Sequence, residues 1–458
     1  MQTTLRAALT AHRLDGAALL PGDSGFDEHR ACWNLTHEHR PAAIVSATST
    51  ADVQAAIRCA AERGLRIAVQ STGHGPTRAA DDEALLLNLA GLGRVSVDAG
   101  EQVAVVGGGV TWSPVLAAAQ QHGLAPLLGS APHVGAVGYT LGGGFGWLAR
   151  RHGLALDRVR RLAVVLADGR LVQASPTDHP DLFWAMLGAG AGSLGVVVEM
   201  EIGLVPVRDV YAGNLLHPAS DAADVFDFYL DWIQTVGGEV TSAFNITAFP
   251  PLEVVPAPLR GRAFAILRGC HCGDLGEAQA LIDLWRRWRK PEVDMFGLLP
   301  FSASASISQD PVDPVPASAS GRWMRRANAD TVVAMVEAVL GGQGPSPVLF
   351  AELRHAGGAV GRANPAASFA ARAASFSLEA VALTPTPQAH EEAGRRHARL
   401  WARVADEVAP LGAYLNFLEG QERVELTRSA FDPETLTRLA AVKKEVDPDG
   451  TFSYGLPL

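Results

Sequence analysis

The sequence predicts an α+β protein with an N-terminal unit of alternating strands and helices over residues 1–206. A second unit over 207–409 is built on a mostly antiparallel sheet covered by helices, and a C-terminal segment spans 410–458. Three observations predict this. At 458 residues the chain exceeds what one ordinary core supports, so it divides. Strand-like and helix-like runs alternate through the first 206 residues with dense glycine between them. Beyond them the texture changes to runs such as TSAFNITAF, RAFAILRGCHC, PVLFAELRH and FSLEAVAL, which read as antiparallel strands interleaved with helices.

The elements follow in order. AAIVSA (42–47) is a strand; Thr48 or Ser49 caps a helix running to about Arg63, Gly64 ends it, and RIAVQ (66–70) is the next strand, a βαβ unit. QVAVVGGGV (102–110) is a strand whose glycines end it and bend the chain. Thr111 caps the helix that follows and Gly123 stops it. VRRLAVVLADGRLVQA is a hairpin about Asp168-Gly169, a pair that tolerates positive φ. The stretch FSASASISQDPVDPVPASASG (301–321) is long and unperiodic, and is expected to be a loop placed to act as a lid. In the tail, Asp432 is an N-cap, Pro433 the first helical residue, and the helix runs to about Val446 before the turn DPDG.

Composition narrows the function. Apolar residues make up 48% and charged residues 19%, a globular balance with ample area to bury around a ligand. The formal charge of -10, with no clustered basic patch, argues against nucleic-acid and anionic-membrane partners and favours a small-molecule substrate. The N-terminus is interrupted by Arg6, His12, Arg13 and Asp15 and lacks a signal-peptide core, so the protein is expected to be cytoplasmic. Four cysteines form no disulfide framework. On a strand, Cys270 and Cys272 face one side and His271 the other, so no metal site is predicted there.

Two glycine loops carry the chemistry. QSTGHGP (70–76) follows a strand and places one histidine, His74, at the apex; small residues there let backbone N–H groups approach a phosphate that a Cβ would obstruct. GSAPHVGAVGYTLGGGFG (129–146) has seven glycines in eighteen residues and suits a long ligand in the same way. Other motifs fail on context. GAGSLG (190–195) fits a dinucleotide fingerprint but follows a helix and leads into a strand, the reverse of the required order. GDSG (22–25) resembles a protease nucleophile loop with no room upstream for its partners.

Together, in this order, the loops resemble the PCMH-type FAD-binding domain of vanillyl-alcohol-oxidase-type flavoproteins, in particular the berberine-bridge-enzyme-like branch. That branch carries R-[SG]-G-G-H, with the histidine bonded to the flavin 8α-methyl, and G-x-C-x-x-V-G-x-x-G, whose cysteine makes a second bond. His74 stands at the first position and Ala131 where the cysteine would be, which implies FAD held by a single covalent histidyl link. The likeness continues through 139–146, Arg151-His152-Gly153-Leu154, 181–197, Tyr414-Leu415-Asn416-Phe417 and Val446-Asp447-Pro448. Gln70 and Thr72 depart from the pattern before His74, Arg158 stands after Asp157 where Asn is common, and FSYGLPL ends the chain without the usual Asn or His.

The resemblance implies that the C-terminal segment returns to the FAD-binding domain. It also implies that Ser71, Thr72, Gly73, His74 and Gly75 bind the cofactor with Ala131, Pro132, Val134 and Gly135. Gly138, Tyr139, Gly142, Gly143, Gly144 and Gly146 continue that surface, and Gly195 and Val197 complete it. Tyr414 and Asn416, from the Y-x-N motif, are the expected catalytic residues. Tyr414 acts as a base only if its pKa, ordinarily near 10, is lowered; otherwise it packs and donates a hydrogen bond. Glu352 and Arg354 alternate on one strand, share a face and are substrate candidates, or else an ordinary ion pair, while His355 points away. Val134 stands where a small valine is associated with oxygen access. The implied activity is an oxidase that moves a hydride from a small natural-product or sugar-like alcohol, amine or ring C–H to flavin N5 and then to O2, giving H2O2. The alternatives are a dehydrogenase using another acceptor and a degenerate flavin-binding protein.

Overall fold

The computed structural model describes residues 2–190, 192–342 and 346–458, so Ala191 of the GAGSLG run lies outside the described residues. Among the described residues the strands form three sheets. In the first, Ala43–Ser46 and Arg66–Gln70 both run parallel to Ala84–Asn88, which lies between them, and Ala17–Leu19 pairs antiparallel on the edge. The expected βαβ unit is therefore present with a later strand inserted at its centre. Its helix, Thr50–Arg63, starts at Ser49, whose side chain accepts from Asp52 N in a capping box, and ends at Gly64 with φ +66°. Val53 and Ile57 of that helix pack with Val45, Ile67, Leu85 and Leu87 and with Val165, Val196 and Val198 of the second sheet. One helix thus joins two sheets into one core.

The second sheet is antiparallel, in the order Val95–Asp98, Val103–Gly107, Val196–Gly203, Val159–Val165, Leu171–Ala174. Its hairpin turns at Gly169, φ +80°, as predicted. The run 190–195 does follow a helix, Pro180–Ala189, and lead into the strand Val196–Gly203.

The third sheet has nine antiparallel strands from the second unit, ordered Val293–Asp294, Asp209–Pro218, Ala263–His271, Val240–Ala248, Val348–His355, Phe376–Leu383, Ala317–Met324 and Val408–Leu418, with Gly297–Pro300 also pairing to Asp209–Pro218. Side chains alternate between its faces. Leu215, Phe244, Leu267, Leu353 and Leu378 point to one side, where they pack on Phe226, Trp285, Met335 and Leu400 of four covering helices. Each such fully buried side chain contributes roughly 2–3 kcal/mol. The opposite face carries polar residues and turns toward the first unit.

Two expectations change. Strand Val408–Leu418 lies at the sheet's edge, so the segment assigned from residue 410 first completes this sheet and leaves it only after Leu418. The stretch 301–321 is not a continuous loop: Phe301–Ala303 and Ala305–Ser308 are helical turns, Ala317–Met324 is a strand, and only 309–316 is irregular. Buried Phe301 and Ile307 anchor it, a local apolar signal too short to show periodicity. It still covers the polar face, since Ile307 O accepts from Asn214 Nδ2 at 2.9 Å.

Candidate active site

Strand Arg66–Gln70 delivers the chain into the loop 71–75, which is gripped from outside. Trp33 N donates to Thr72 O (3.0 Å), Asn34 N to Gly73 O (3.1 Å), and the buried Arg423 Nη1 to Gly75 O (2.7 Å). A peptide's C=O and the next N–H point in opposite directions, so pinning these carbonyls turns the N–H groups of Gly73 and His74 inward. The N–H groups of Thr72, Gly73, His74 and Gly75 find no acceptor among the described residues, which makes the loop a ready cradle for an anion. Gly73 is required by φ +71° and by contact: a Cβ there would lie 2.6 Å from Cys32 Cα.

The second loop lies against the first. Gly135 packs against the Ser71 hydroxyl, whose oxygen also sits 3.3 Å from Gly109 O as a donor. Its entry is fixed by Ser113 N to Pro132 O (2.8 Å), Trp112 N to Val134 O (3.1 Å) and Val134 N to Ala131 O (3.2 Å). Helix Ala136–Leu141 brings Gly138 and Tyr139, followed by the glycines at 142–144 and Gly146. Asn416 Nδ2 donates to Tyr139 O at 2.9 Å, and a Cβ on Gly142 would fall 1.9 Å from Asn416 Oδ1. The predicted Asn416 is therefore tied to the predicted loop. Val197 O abuts Gly108, next to the Gly109 that Ser71 touches, while the Val197 side chain is buried in the core, and Gly195 packs on Val164 and Val165 of the second sheet.

His74 is held on two sides. Its Nδ1 is 2.7 Å from Thr72 Oγ1, and its ring stacks on Trp33 with centroids 4.3 Å apart and planes 9° apart. His133 lies 5.0 Å away at a tilt. Nε2 is buried and has no partner among the described residues. Burial first, and then His133, pushes the His74 pKa down to about 3, so the ring is neutral at neutral pH.

Opposite the loops is the polar face of the nine-stranded sheet. Glu352 accepts from Arg354 Nη2 (2.6 Å), Arg268 Nη1 (2.8 Å) and Asn245 Nδ2 (3.3 Å). Arg354 Nη1 crosses to Phe145 O in the second loop at 2.6 Å and lies over the Phe145 and Trp147 rings. Glu352 and Arg354 do share a face, but the pair is buried, not a surface bridge. Burial opposes ionisation of Glu352, yet Arg354 and Arg268 outweigh it and hold its pKa below the ordinary carboxylate value.

Tyr414 lies on this face between Trp323 and Phe417, with ring centroids 4.6 Å from each. Burial raises its pKa further than Arg354 lowers it, so Tyr414 keeps its proton. Of the two readings open for Tyr414, the raised pKa favours the residue that packs and hydrogen-bonds over the tyrosinate base.

Sequence reasoning missed Glu379. It pairs directly across from Glu352 in the ladder, is buried, and has Arg354 Nη2 as its nearest cation at 3.8 Å. Burial first raises its pKa to about 8; Arg354 pulls it down and Glu352 pushes it further up. A carboxyl titrating there exchanges protons near neutrality. The available signal was one acid inside the apolar strand FSLEAVAL. Trp33, Arg268 and Arg423 were also missed, because only tertiary contact brings them in, and His133 stood within the second loop without being singled out.

The residues fit FAD. Unpaired amides and a close-approach glycine suit a pyrophosphate, a neutral histidine with one bare nitrogen suits the flavin edge, and the buried Tyr139 hydroxyl has no hydrogen-bond partner among the described residues. The fold and site define a PCMH-type FAD-binding architecture facing an antiparallel substrate sheet. Residues 41–175 match the FAD binding domain model. The chain is similar to (R)-6-hydroxynicotine oxidase of Paenarthrobacter nicotinovorans, at 28% identity over 454 residues and 96% of each protein. Its structure is similar to that of 6-hydroxy-D-nicotine oxidase from Arthrobacter nicotinovorans (TM-score 0.83, 25% identity, 97% of this chain and 98% of that one). It also shares its fold with a xylooligosaccharide oxidase from Myceliophthora thermophila (TM-score 0.83, 20% identity, 98% of each chain). The protein is an FAD-linked oxidoreductase, and its fold and site resemble those of the vanillyl-alcohol-oxidase/PCMH type in its berberine-bridge-enzyme-like branch.

Proposed function

We propose that the protein is an oxidase of a small alcohol, amine or ring C–H substrate, of natural-product or sugar-like type, with O2 as electron acceptor and FAD joined through His74 alone. When bound, FAD supplies the hydride acceptor and passes the electrons to O2, giving H2O2. The observation that carries the reading is the placement of Glu379, a buried carboxyl titrating near neutrality on the sheet face that meets the flavin loops.

Glu379 takes up the substrate's hydroxyl or amine proton. Tyr414 keeps its own proton and donates a hydrogen bond. The Arg268–Glu352–Arg354 array holds the face rigid and keeps positive charge beside Glu379. Segment 301–316 limits water entry from the side of Asn214. Ala131, in place of a second linking residue, leaves His74 as the single attachment, and half-buried Val134 supports access of oxygen.

Acid precipitation of the purified protein tests the bond: flavin colour should stay in the pellet and be lost in His74→Ala. Screening alcohols and amines for anaerobic bleaching of the flavin, followed by admission of air, tests the reaction. Rapid recolouring with peroxide formation supports the oxidase. Reduced flavin that persists in air refutes it.

A further inference from the structure

The chain at 308–311 crosses from the polar sheet face to the flavin loops and is pinned at both ends. On the sheet side, Ile307 O accepts from Asn214 Nδ2 at 2.9 Å, and Asn214 Oδ1 accepts in turn from Arg268 Nε at 2.9 Å. On the loop side, Val312 O accepts from Trp33 Nε1 at 2.9 Å, and the Trp33 ring lies 4.3 Å from that of His74 and 5.6 Å from that of His133. Asp310 sits within this span. Gln309 before it is held at φ +57°, a left-handed conformation that a non-glycine residue rarely takes, and Pro311 after it disfavours helical backbone at Asp310. Its neighbours in the chain thus set the Asp310 backbone in place. The side chain is half-buried, with no hydrogen bond or ion pair among the described residues. It stands over the cleft between the two units, where its charge raises the pKa of Glu379 on the sheet and of His133 on the second loop. Asp313 of the same segment is exposed.

The cations of this face are already engaged. Arg268 and Arg354 both bind Glu352, and Arg354 also reaches Phe145 O. Burial holds the pKa of His74 and of His133 below the ordinary histidine value, so neither ring adds positive charge at neutral pH. Asp310 is therefore a partly desolvated carboxylate with no counter-charge of its own, and a ligand that brings one offsets the cost of that desolvation. A sugar hydroxyl offers it only an uncharged donor, whereas a protonated amine offers a charge-assisted hydrogen bond of roughly twice the strength. Resting on the reading of this cleft as the place where substrate meets flavin, we infer that Asp310 is a specificity-determining residue that receives a protonated amine of the substrate, so that the enzyme takes a cationic amine in preference to a neutral sugar.

The test uses FAD-loaded protein and two probes of one shape: choline, with a trimethylammonium head, and 3,3-dimethylbutan-1-ol, its uncharged carbon counterpart. Each is titrated while the flavin absorbance is followed. Choline should perturb the flavin spectrum and bind on the order of tenfold more tightly than the neutral probe. Asp310→Asn keeps the side-chain shape and removes the charge; it should weaken choline on the order of tenfold and leave 3,3-dimethylbutan-1-ol unchanged. Asp310→Glu should keep most of the affinity for choline, and Asp313→Asn, on the exposed side of the segment, should change neither probe. Equal affinity for the two probes, absence of choline binding, or choline binding that Asp310→Asn does not alter overturns the proposal. Pairing cationic with neutral compounds in the anaerobic bleaching screen separates this proposal from the reading it rests on. Bleaching by neutral sugars alone leaves the oxidase standing and overturns the role of Asp310. Failure of every compound to bleach, with choline still bound through Asp310, overturns the oxidase and leaves the cation site.

Discussion

Replacing Glu379 by Gln removes a carboxyl whose proton is held in the fold well above its ordinary value of 4.5, at about 8. Because the folded pKa is the higher one, the folded state binds the proton more tightly. Its stabilising effect is complete below about pH 4.5 and is lost as pH rises toward 8. Over that window stability falls by about 1.4 kcal/mol per pH unit, so that at pH 7 the acid costs the fold about 3 kcal/mol relative to a neutral isostere. Glu379→Gln should therefore leave stability near pH 5 almost unchanged and raise it progressively above that. Urea unfolding of FAD-loaded wild-type and variant proteins at about pH 5, 7 and 9 measures the difference directly. The same substitution should reduce the rate of flavin reduction by about 10²–10⁴ with the substrate found by the bleaching screen. A stability difference that does not change with pH would refute the buried, proton-holding Glu379, and unaltered flavin reduction would refute its role as base.

Gly142→Ala places a methyl 1.9 Å from Asn416 Oδ1 and should break the Asn416–Tyr139 hydrogen bond, at a cost of about 1–3 kcal/mol in chemical unfolding. Adding Asn416→Ala should then cost little more. Glu352→Leu leaves Arg268 and Arg354 buried without their shared carboxylate and should destabilise the fold by about 3–5 kcal/mol; Arg354→Met in that background should recover part of the loss. The His74 pKa is pushed down to about 3, and the neutral ring predominates above that value. Attachment of FAD to flavin-free protein should accordingly proceed at a nearly constant rate from about pH 5 to 8, with no inflection near the ordinary histidine value of about 6.5.

The parts of the site legible in the sequence are those whose chemistry is written locally. A glycine with positive φ next to a lone histidine, and a run whose glycines admit close backbone approach, are requirements of a few consecutive residues, so Gly73, His74 and Gly142 could be read directly. The helix caps at Ser49 and Asp432 were legible for the same reason. Glu352 and Arg354 were placed on one face by strand alternation, but alternation cannot tell a buried face from a wet one. Burial here depends on Phe145 and Trp147, contributed by the other unit.

That limit explains why the role of Tyr414 stayed open in the sequence and why Glu379 was missed. The pKa of Tyr414 is set by a contest between burial and Arg354, and burial prevails because Trp323 and Phe417 enclose the ring. Sequence supplies the contestants and not the distances. Glu379 and Tyr414 meet the same cation, yet the outcome is useful only for the carboxyl. Burial carries an acid upward from 4.5 to the neutral range, whereas it carries a phenol away from it. Under the proposed function, a buried sheet face therefore favours a carboxyl over a tyrosine as proton acceptor. The polar array around Glu352 supplies the positive charge that keeps that carboxyl from being locked permanently in its neutral form.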